Sequence, residues 1–289
     1  LLAVEAQFSA YVDYPDEDIP ELHPEALARV IHRAQQTVQG LVDTFDAGQV
    51  LREGVDTAIV GCPNVGKSTL MNALSGCERS IVTEVAGTTR DVIENTVRLG
   101  EVTLRLADTA GIRDTGDRIE SAGVEKARTR LRQAALVLAV FDGSRPLTDA
   151  DRALAEESCR TAAIAVINKA DRPQRIDRAF LEGRFSRVVT LSAREGSGLP
   201  ELAAAVADIT GVERLTAAEP VLSTERQRDC AVRCRSCLEE ADAALGSGLT
   251  PDAVSVSLHG AIAAILELTG ERATETVVDE VFARFCVGK

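Results

Sequence analysis

Residues 61–68 are Gly-Cys-Pro-Asn-Val-Gly-Lys-Ser, and this stretch predicts the fold of the chain around it. A β-branched run over residues 57–60 precedes it, and a helical pattern begins at Lys67. The pattern G-x-x-x-x-G-K-S between a strand and a helix is typical of a P-loop, whose backbone N–H groups curl around phosphates. Lys67 would reach the β- and γ-phosphates, and the Ser68 hydroxyl would bind Mg²⁺. The alternative is a chance glycine-rich turn.

Strands and helices alternate after this stretch. Residues 136–141 and 162–167 are near-continuous apolar runs, typical of strands buried on both faces. Helical patterns separate the strands, for example over residues 67–74 and 119–133. This alternation predicts an α/β fold with a doubly wound, mostly parallel sheet.

The two ends of the chain carry helical patterns instead. We expect helices over residues 223–245, 251–268 and 274–285. Near the beginning, a buried helix face is expected at Ala26, Val30, Ile31, Val38, Leu41 and Val42. The predicted domains are therefore a first helical part over 1–53, an α/β domain over 54–212 and a second helical part over 213–289.

Composition excludes several classes of protein. The formal charge of -13 and the pI of 4.8 argue against a broad nucleic-acid-binding surface. Seven scattered cysteines favour reduced thiols and a cytoplasmic protein, and no apolar run is long enough to span a membrane. The chain begins at Leu1 and its one methionine is Met71, so we expect a natural start upstream.

Two further motifs follow predicted strands. Residues 108–111, Asp-Thr-Ala-Gly, would hold Mg²⁺ through water at Asp108 and sense the γ-phosphate at the Gly111 N–H. Residues 168–171, Asn-Lys-Ala-Asp, would select guanine, because the Asp171 carboxylate can accept from N1–H and N2–H₂, a donor pair that adenine lacks.

Residues 192–194, Ser-Ala-Arg, would close over the base. All these motifs occur in order at the ends of predicted strands, and together they predict GTP binding.

The predicted route of hydrolysis is unusual. Many GTPases use a glutamine after the last glycine of residues 108–111 to orient water, but Ile112 stands there. Asp114, Asp117 and Glu120 are candidates to replace it, and spacing alone does not choose among them. They would equally suit a solvated loop.

Three segments carry a resemblance to a known family. They are residues 82–91, Val-Thr-Glu-Val-Ala-Gly-Thr-Thr-Arg-Asp; residues 108–113, Asp-Thr-Ala-Gly-Ile-Arg; and the terminus 285–289, Phe-Cys-Val-Gly-Lys. With the P-loop, they make the chain resemble the MnmE (TrmE) family of tRNA-modification GTPases over essentially its whole length.

The resemblance implies a P-loop GTPase domain with a Ras-like sheet, inserted into an all-α domain that follows an absent folate-binding domain. It implies that G domains dimerise across the nucleotides with K⁺, bound by Asn64, Thr83, Val85 and Thr88. Thr89 would complete the Mg²⁺ site with Ser68 and Asp108. Glu120 would position the attacking water, so that Lys67, Thr89 and Glu120 are the catalytic residues.

Motifs and resemblance together predict a large set of GTP-binding residues. They are Asn64, Val65, Gly66, Lys67, Ser68, Thr69, Thr83, Glu84, Val85, Ala86, Gly87, Thr88, Thr89, Asp108, Thr109, Ala110, Gly111, Asn168, Lys169, Ala170, Asp171, Ser192, Ala193 and Arg194.

The implied cellular role is modification of the wobble uridine (U34) of tRNA with an MnmG-like flavoprotein. The homodimer would also form through the absent N-terminal domain, whose folate Cys286 and Lys289 would approach. A packed thiol near a frayed end is an equal alternative for Cys286. Cys230, Cys234 and Cys237 share one helix face, where a core stripe is favoured over an iron–sulfur site.

Two other functions remain open from the sequence. An Era- or Der-like ribosome-assembly GTPase would need a basic RNA-binding appendage or a second G domain, and neither pattern is visible. A nucleotide-gated interaction protein with incidental hydrolysis would account for Ile112 as a mark of a dead site.

Overall fold

The computed structural model describes residues 1–13, 23–76, 96–106, 134–215, 220–249 and 251–270. Within these ranges the chain forms two compact units. One joins Leu1–Gly48 to the chain from Ala218 onward, and the other is Gln49–Ala217. The divisions fall a few residues from the boundaries that the sequence predicts.

A six-stranded sheet organises the second unit. Its strands are β1 (Val55–Val60), β2 (Thr96–Leu99), β3 (Val102–Leu106), β4 (Leu136–Asp142), β5 (Ala163–Asn168) and β6 (Arg187–Thr190). Their spatial order is β2-β3-β1-β4-β5-β6, and every pair is parallel except the β2–β3 hairpin. The functional loops leave the carboxyl ends of the parallel strands, where ligands bind in open α/β sheets.

The central strands are buried on both faces, as their apolar runs predict. All seven residues of β4 and all six of β5 are buried. Four helices of this unit are α4 (Lys67–Gly76), α5 (Asp149–Ser158), α6 (Arg178–Glu182) and α7 (Leu199–Ile209). A 3₁₀ turn over Val212–Arg214 follows them. The predicted α/β class, a doubly wound, mostly parallel sheet inserted in sequence into a helical domain, is confirmed.

Helices alone form the described part of the other unit. They are α1 (Leu2–Asp13), α2 (Pro24–Asp43), α8 (Glu225–Gly246) and α9 (Pro251–Thr269), while α3 (Phe45–Glu53) runs from this unit into the other. The predicted helix over 274–285 and the one over 119–133 lie outside the described residues.

The buried face of α2 differs in part from the prediction. Leu27, Ile31 and Val38 are buried, whereas Val30 is 36% exposed. Val30 and Ile31 are neighbours about 100° apart on the helix, so only one of them can lie at the centre of a buried stripe. The predicted assignment of Val30 to that face is therefore wrong.

The cysteine stripe of α8 lies in the core of the helical unit. Cys230 and Cys234 are buried and Cys237 is half-buried. Burial raises the pKa of Cys234 to about 12, which keeps the thiol protonated. A Cβ on Gly260 of α9 would lie 3.0 Å from Cys237 Sγ, so the glycine permits α9 to approach α8 closely. Core packing is thus the role that the described geometry supports.

One buried carboxyl group links α1 to α9. Glu5 is 4% exposed, accepts a 3.2 Å hydrogen bond from Ser255 Oγ, and lies 3.7 Å from His259 Nδ1. Burial raises the pKa of Glu5, and Ser255 and His259 offset this only in part. A raised carboxyl pKa stabilises the fold at pH values below the ordinary pKa of 4.5, and this stability is lost as pH rises through the folded-state value.

Glu5→Gln is therefore expected to raise the melting temperature near pH 8 by about 2 °C, because an amide can keep the Ser255 contact without a buried charge. This increase in melting temperature should become smaller toward pH 4, because Glu5 is then protonated and uncharged in the wild type as well. Differential scanning calorimetry across this pH range measures both effects, with the exposed Glu25→Gln as control. A lower melting temperature near pH 8 would show that the ionised carboxylate stabilises the helical unit.

Candidate functional site

The predicted P-loop connects the end of β1 to the beginning of α4. Its Lys67 Nζ donates hydrogen bonds to the carbonyl oxygens of Gly61 and Cys62, each at 2.8 Å. Burial lowers the pKa of Lys67, and the nearby Cys62 opposes this shift. A lysine over the loop and the N-terminus of a ten-residue helix together form a site suited to an anion.

Ser68 and Thr69 lie exposed in the first turn of α4. The Ser68 hydroxyl is a hard oxygen ligand of the kind that Mg²⁺ prefers. This part of the predicted Mg²⁺ site fits the ion, while Asp108 and Thr89 lie outside the described residues.

The side chain of Asn168 joins three loops. Its Nδ2 donates to Val65 O at 2.9 Å, and its Oδ1 accepts from Ala193 N at 3.0 Å. Asn168 is 3% exposed, so both ends of the amide are satisfied inside the protein. The residue predicted to contact the nucleotide thus aligns the P-loop with the loop at residues 192–194.

Gly66 is required by this arrangement. Its φ is 100°, a region that L side chains rarely adopt, and a Cβ there would lie 2.3 Å from Asn168 Nδ2. Any larger residue would displace Asn168 from the P-loop.

Lys169 also contacts the P-loop. Its Nζ donates to Asn64 O at 2.8 Å and to Asp142 Oδ2 at 2.6 Å. Lys169 has φ 68° and Asn64 has φ 62°. Both residues thus adopt the left-handed backbone conformation, which is uncommon for residues other than glycine. The loop predicted to recognise guanine is therefore bonded to the loop predicted to hold the phosphates.

Asp171 lies open at the edge of this cluster. Ser192 Oγ donates to Asp171 Oδ1 at 2.7 Å, and this hydrogen bond lowers the pKa of Asp171. Ser192 itself is fully buried. The carboxylate is thereby charged at neutral pH and oriented by a fixed neighbour, with lone pairs left to accept from two parallel N–H donors.

Sequence reasoning missed the end of β4 and the segment that follows it. Asp142, Arg145 and Asp151 form a chain of charges behind the P-loop, since Arg145 Nη1 donates to Asp151 Oδ2 at 2.7 Å and Arg145 Nε lies 4.0 Å from Asp142. Thr148 and Asp151 also form a capping box at the start of α5. The T-x-x-D spacing was a signal available in the sequence.

Asp151 also interacts with the P-loop itself. Burial together with the Asp151 carboxylate raises the pKa of Cys62 to about 11. Burial opposes the ionisation of Asp151, but hydrogen bonds from Arg145 and Thr148 outweigh it and lower its pKa to about 2. The Cys62 thiol is thus held protonated beside a permanent negative charge.

Several predicted site residues lie outside the described part of the chain. They are Thr83, Glu84, Val85, Ala86, Gly87, Thr88, Thr89, Asp108, Thr109, Ala110, Gly111, Glu120, Cys286 and Lys289. The described ones, from the P-loop and from residues 168–171 and 192–194, are brought together at one edge of the sheet.

Asp151→Asn is expected to destabilise the protein by about 1–2 kcal/mol near neutral pH, because Arg145 and Thr148 lose a charged acceptor. A lowered carboxyl pKa gives stability that is present above the ordinary pKa of 3.8 and lost as pH falls through about 2. The difference in unfolding free energy between Asp151→Asn and wild type should therefore become smaller as pH falls below the ordinary pKa of 3.8. Urea unfolding followed by circular dichroism measures it, with the exposed Asp149→Asn as control. Equal stability of the variant and the wild type near neutral pH would contradict the assignment.

Comparisons with known proteins agree with the predicted family. The model of the MnmE helical domain matches residues 1–286. The chain is 39% identical to the tRNA modification GTPase MnmE of Heliobacterium modesticaldum, covering 100% of this chain and 64% of the relative. It is 40% identical to the tRNA modification GTPase MnmE of Geobacter sulfurreducens, and this match covers 98% of this chain and 62% of the relative. The chain thus spans less than two thirds of these relatives' length.

Among solved structures, the G domain of the T. maritima FeoB iron transporter covers 54% of this chain at 26% identity, with a TM-score of 0.39. The family assignment rests on the sequence matches, which extend through both units. By that measure the chain belongs to the MnmE family.

Proposed function

We propose that this chain binds GTP with Mg²⁺ and hydrolyses it to GDP and phosphate. The observation that carries the proposal is the joining of Asp171 and the P-loop through Asn168 and Lys169. An acceptor for two guanine N–H groups and a cradle for phosphates are thereby held in one rigid unit, as a guanine nucleotide requires. The names of the relatives, tRNA modification GTPase, support the same conclusion.

Hydrolysis would proceed without the glutamine that many GTPases use. We assign positioning of the attacking water to Glu120, and the transition-state charge to Lys67 together with Thr89. A K⁺ ion bound by Asn64, Thr83, Val85 and Thr88 would neutralise charge beside the β- and γ-phosphates, as an arginine finger does elsewhere. The bond from Lys169 that anchors Asn64 O supports a fixed position for this residue. Mg²⁺, held by Ser68, Thr89 and, through water, Asp108, would polarise the phosphates.

The wider role that we propose is wobble-uridine (U34) modification of tRNA in the cytoplasm, with an MnmG-like flavoprotein. It is supported by the family and by the relatives' names. Dimerisation would occur through the G domains and through a folate-binding N-terminal domain beyond this chain, with Cys286 and Lys289 near the folate. No helix among the described residues is long and apolar enough to cross a membrane.

Guanine recognition predicts a change of specificity in Asp171→Asn. The amide can still accept from Ser192 but offers an N–H₂ donor, which matches the C2 carbonyl of xanthine and clashes with the guanine amino group. We expect GTP affinity to fall on the order of 100-fold and XTP affinity to rise. Competition against a fluorescent nucleotide measures both, with the exposed Glu195→Gln as control. Unchanged preference for GTP would refute guanine recognition by Asp171.

The proposed hydrolysis predicts dependence on K⁺ and on Glu120. Single-turnover GTP hydrolysis should be faster in K⁺ than in Na⁺, and Glu120→Ala should slow it by about 100-fold, as expected when the attacking water is no longer held in position. Glu101→Ala, in the exposed turn between β2 and β3, is the control. Equal slow rates in both salts, unchanged by Glu120→Ala, would favour a nucleotide-gated interaction protein.

G-domain dimerisation has a direct test in solution. With GDP, aluminium fluoride and K⁺, light scattering should give twice the mass found with GDP alone, because the transition-state analogue would draw two G domains together. A monomer under both conditions would contradict dimerisation through the G domains of this chain.

A further inference from the structure

Two strained residues of the site are bonded to each other. Asn64 and Lys169 are the two non-glycine residues with positive φ among those that the structure describes. Each conformation costs on the order of 1 kcal/mol or more and persists only where its surroundings hold it. The 2.8 Å bond from Lys169 Nζ to Asn64 O joins them. The P-loop backbone, which follows β1, is therefore restrained at Asn64 by a side chain that follows β5, two strands away in the sheet.

The Lys169 ammonium is itself fixed from the other side by Asp142. Asp142 is 8% exposed, and its Oδ2 lies 2.6 Å from Lys169 Nζ. Its Oδ1 accepts from Ser144 N at 3.0 Å and from Ser144 Oγ at 2.6 Å. Burial raises the pKa of Asp142, but the hydrogen bonds from Lys169 and Ser144 outweigh it and the pKa lies below its ordinary value. Asp142 is thus a charged group with both oxygens engaged.

The backbone holds this carboxylate in register with β5. Asp142 pairs with Asn168 at the ends of β4 and β5, and Gly143 N donates to Asn168 O at 2.9 Å. Asp142 therefore occupies a fixed position relative to the residue before Lys169. A flexible lysine side chain loses much rotamer freedom when a buried carboxylate and a carbonyl oxygen both hold its ammonium group.

We propose that Asp142 is a positioning residue for guanine nucleotide binding. It acts through Lys169, which it directs onto Asn64 O, and so keeps the P-loop backbone in the conformation that presents its N–H groups to phosphates. This inference rests on the proposed binding of GTP. Without Asp142 the Lys169 ammonium would lose its nearest charged partner, and the nucleotide would have to order the loop on binding, which costs affinity.

The test is nucleotide affinity in a double-mutant cycle on the full chain. The variants are Asp142→Asn, Lys169→Met and both together, and Asp149→Asn, at the exposed first residue of α5, is the matched control. Fluorescent GDP is titrated at equilibrium, and its dissociation rate is measured by stopped flow. We expect Asp142→Asn to bind GDP about 10-fold more weakly, as loss of a charge-assisted hydrogen bond predicts. The loss should appear mainly as faster dissociation, and the control should match wild type.

The cycle separates positioning from a merely structural role. Because Asp142 acts through Lys169, the double variant should bind GDP no more weakly than Lys169→Met alone. Melting temperatures check that each variant folds. If Asp142→Asn unfolds, Asp142→Glu keeps the charge but moves the carboxylate, and it is expected to release GDP faster than wild type.

Three results would overturn the inference. The first is that Asp142→Asn binds GDP as tightly as wild type, or that Asp142→Glu does so where it replaces the first variant. Asp142 would then have no role in nucleotide binding. Additive losses in the cycle show that Asp142 acts independently of Lys169. The third is that the wild-type chain does not bind fluorescent GDP. That result would overturn the proposed function as well, whereas the first two results would overturn only the role of Asp142.

Discussion

The buried amide of Asn168 is the interaction on which the rest of the site depends. It ties the P-loop to the loop after β6 by two hydrogen bonds, and it lies so close to residue 66 that only glycine fits there. Since the amide is almost completely buried, losing either partner would leave a polar atom unsatisfied at a cost of about 1–3 kcal/mol. The relative position of the loops that we propose for base and phosphate binding is therefore set by hydrogen bonds within the protein.

Charge reinforces this arrangement from behind the P-loop. Four side chains of alternating charge lie in a row beside the P-loop: Lys169, Asp142, Arg145 and Asp151. At one end Lys169 contacts Asn64, and at the other Asp151 interacts with Cys62. In a chain of net charge -13, such pairing lets acidic side chains lie beside the proposed phosphate site without repelling an anion there. The negative charges of Asp142 and Asp151 are paired with Lys169 and Arg145 of the same chain.

Local pattern predicts the sheet well and the contacts within the site poorly. The buried strands β4 and β5 are continuous apolar runs, and the loop that follows β5 carries a recognisable motif. The hairpin strand β2, Thr96–Leu99, alternates polar and apolar residues, but over only four positions, so the pattern is too short to indicate a strand by itself. Asp142 follows Phe141 at the end of an apolar strand, and only the parallel register with β5 brings it to Lys169. Such contacts depend on tertiary structure, which spacing along one chain does not encode.

The helical unit is assembled from both ends of the sequence. Leu27, Ile31 and Val38 of α2 share one core with Ala231, Cys234 and Leu238 of α8, although the whole second unit lies between them in the chain. During synthesis on a ribosome, the apolar face of α2 emerges long before α8 exists to cover it. Vectorial synthesis thus leaves that face without its partner while the sheet is completed, a period in which chaperones or premature association can act on it.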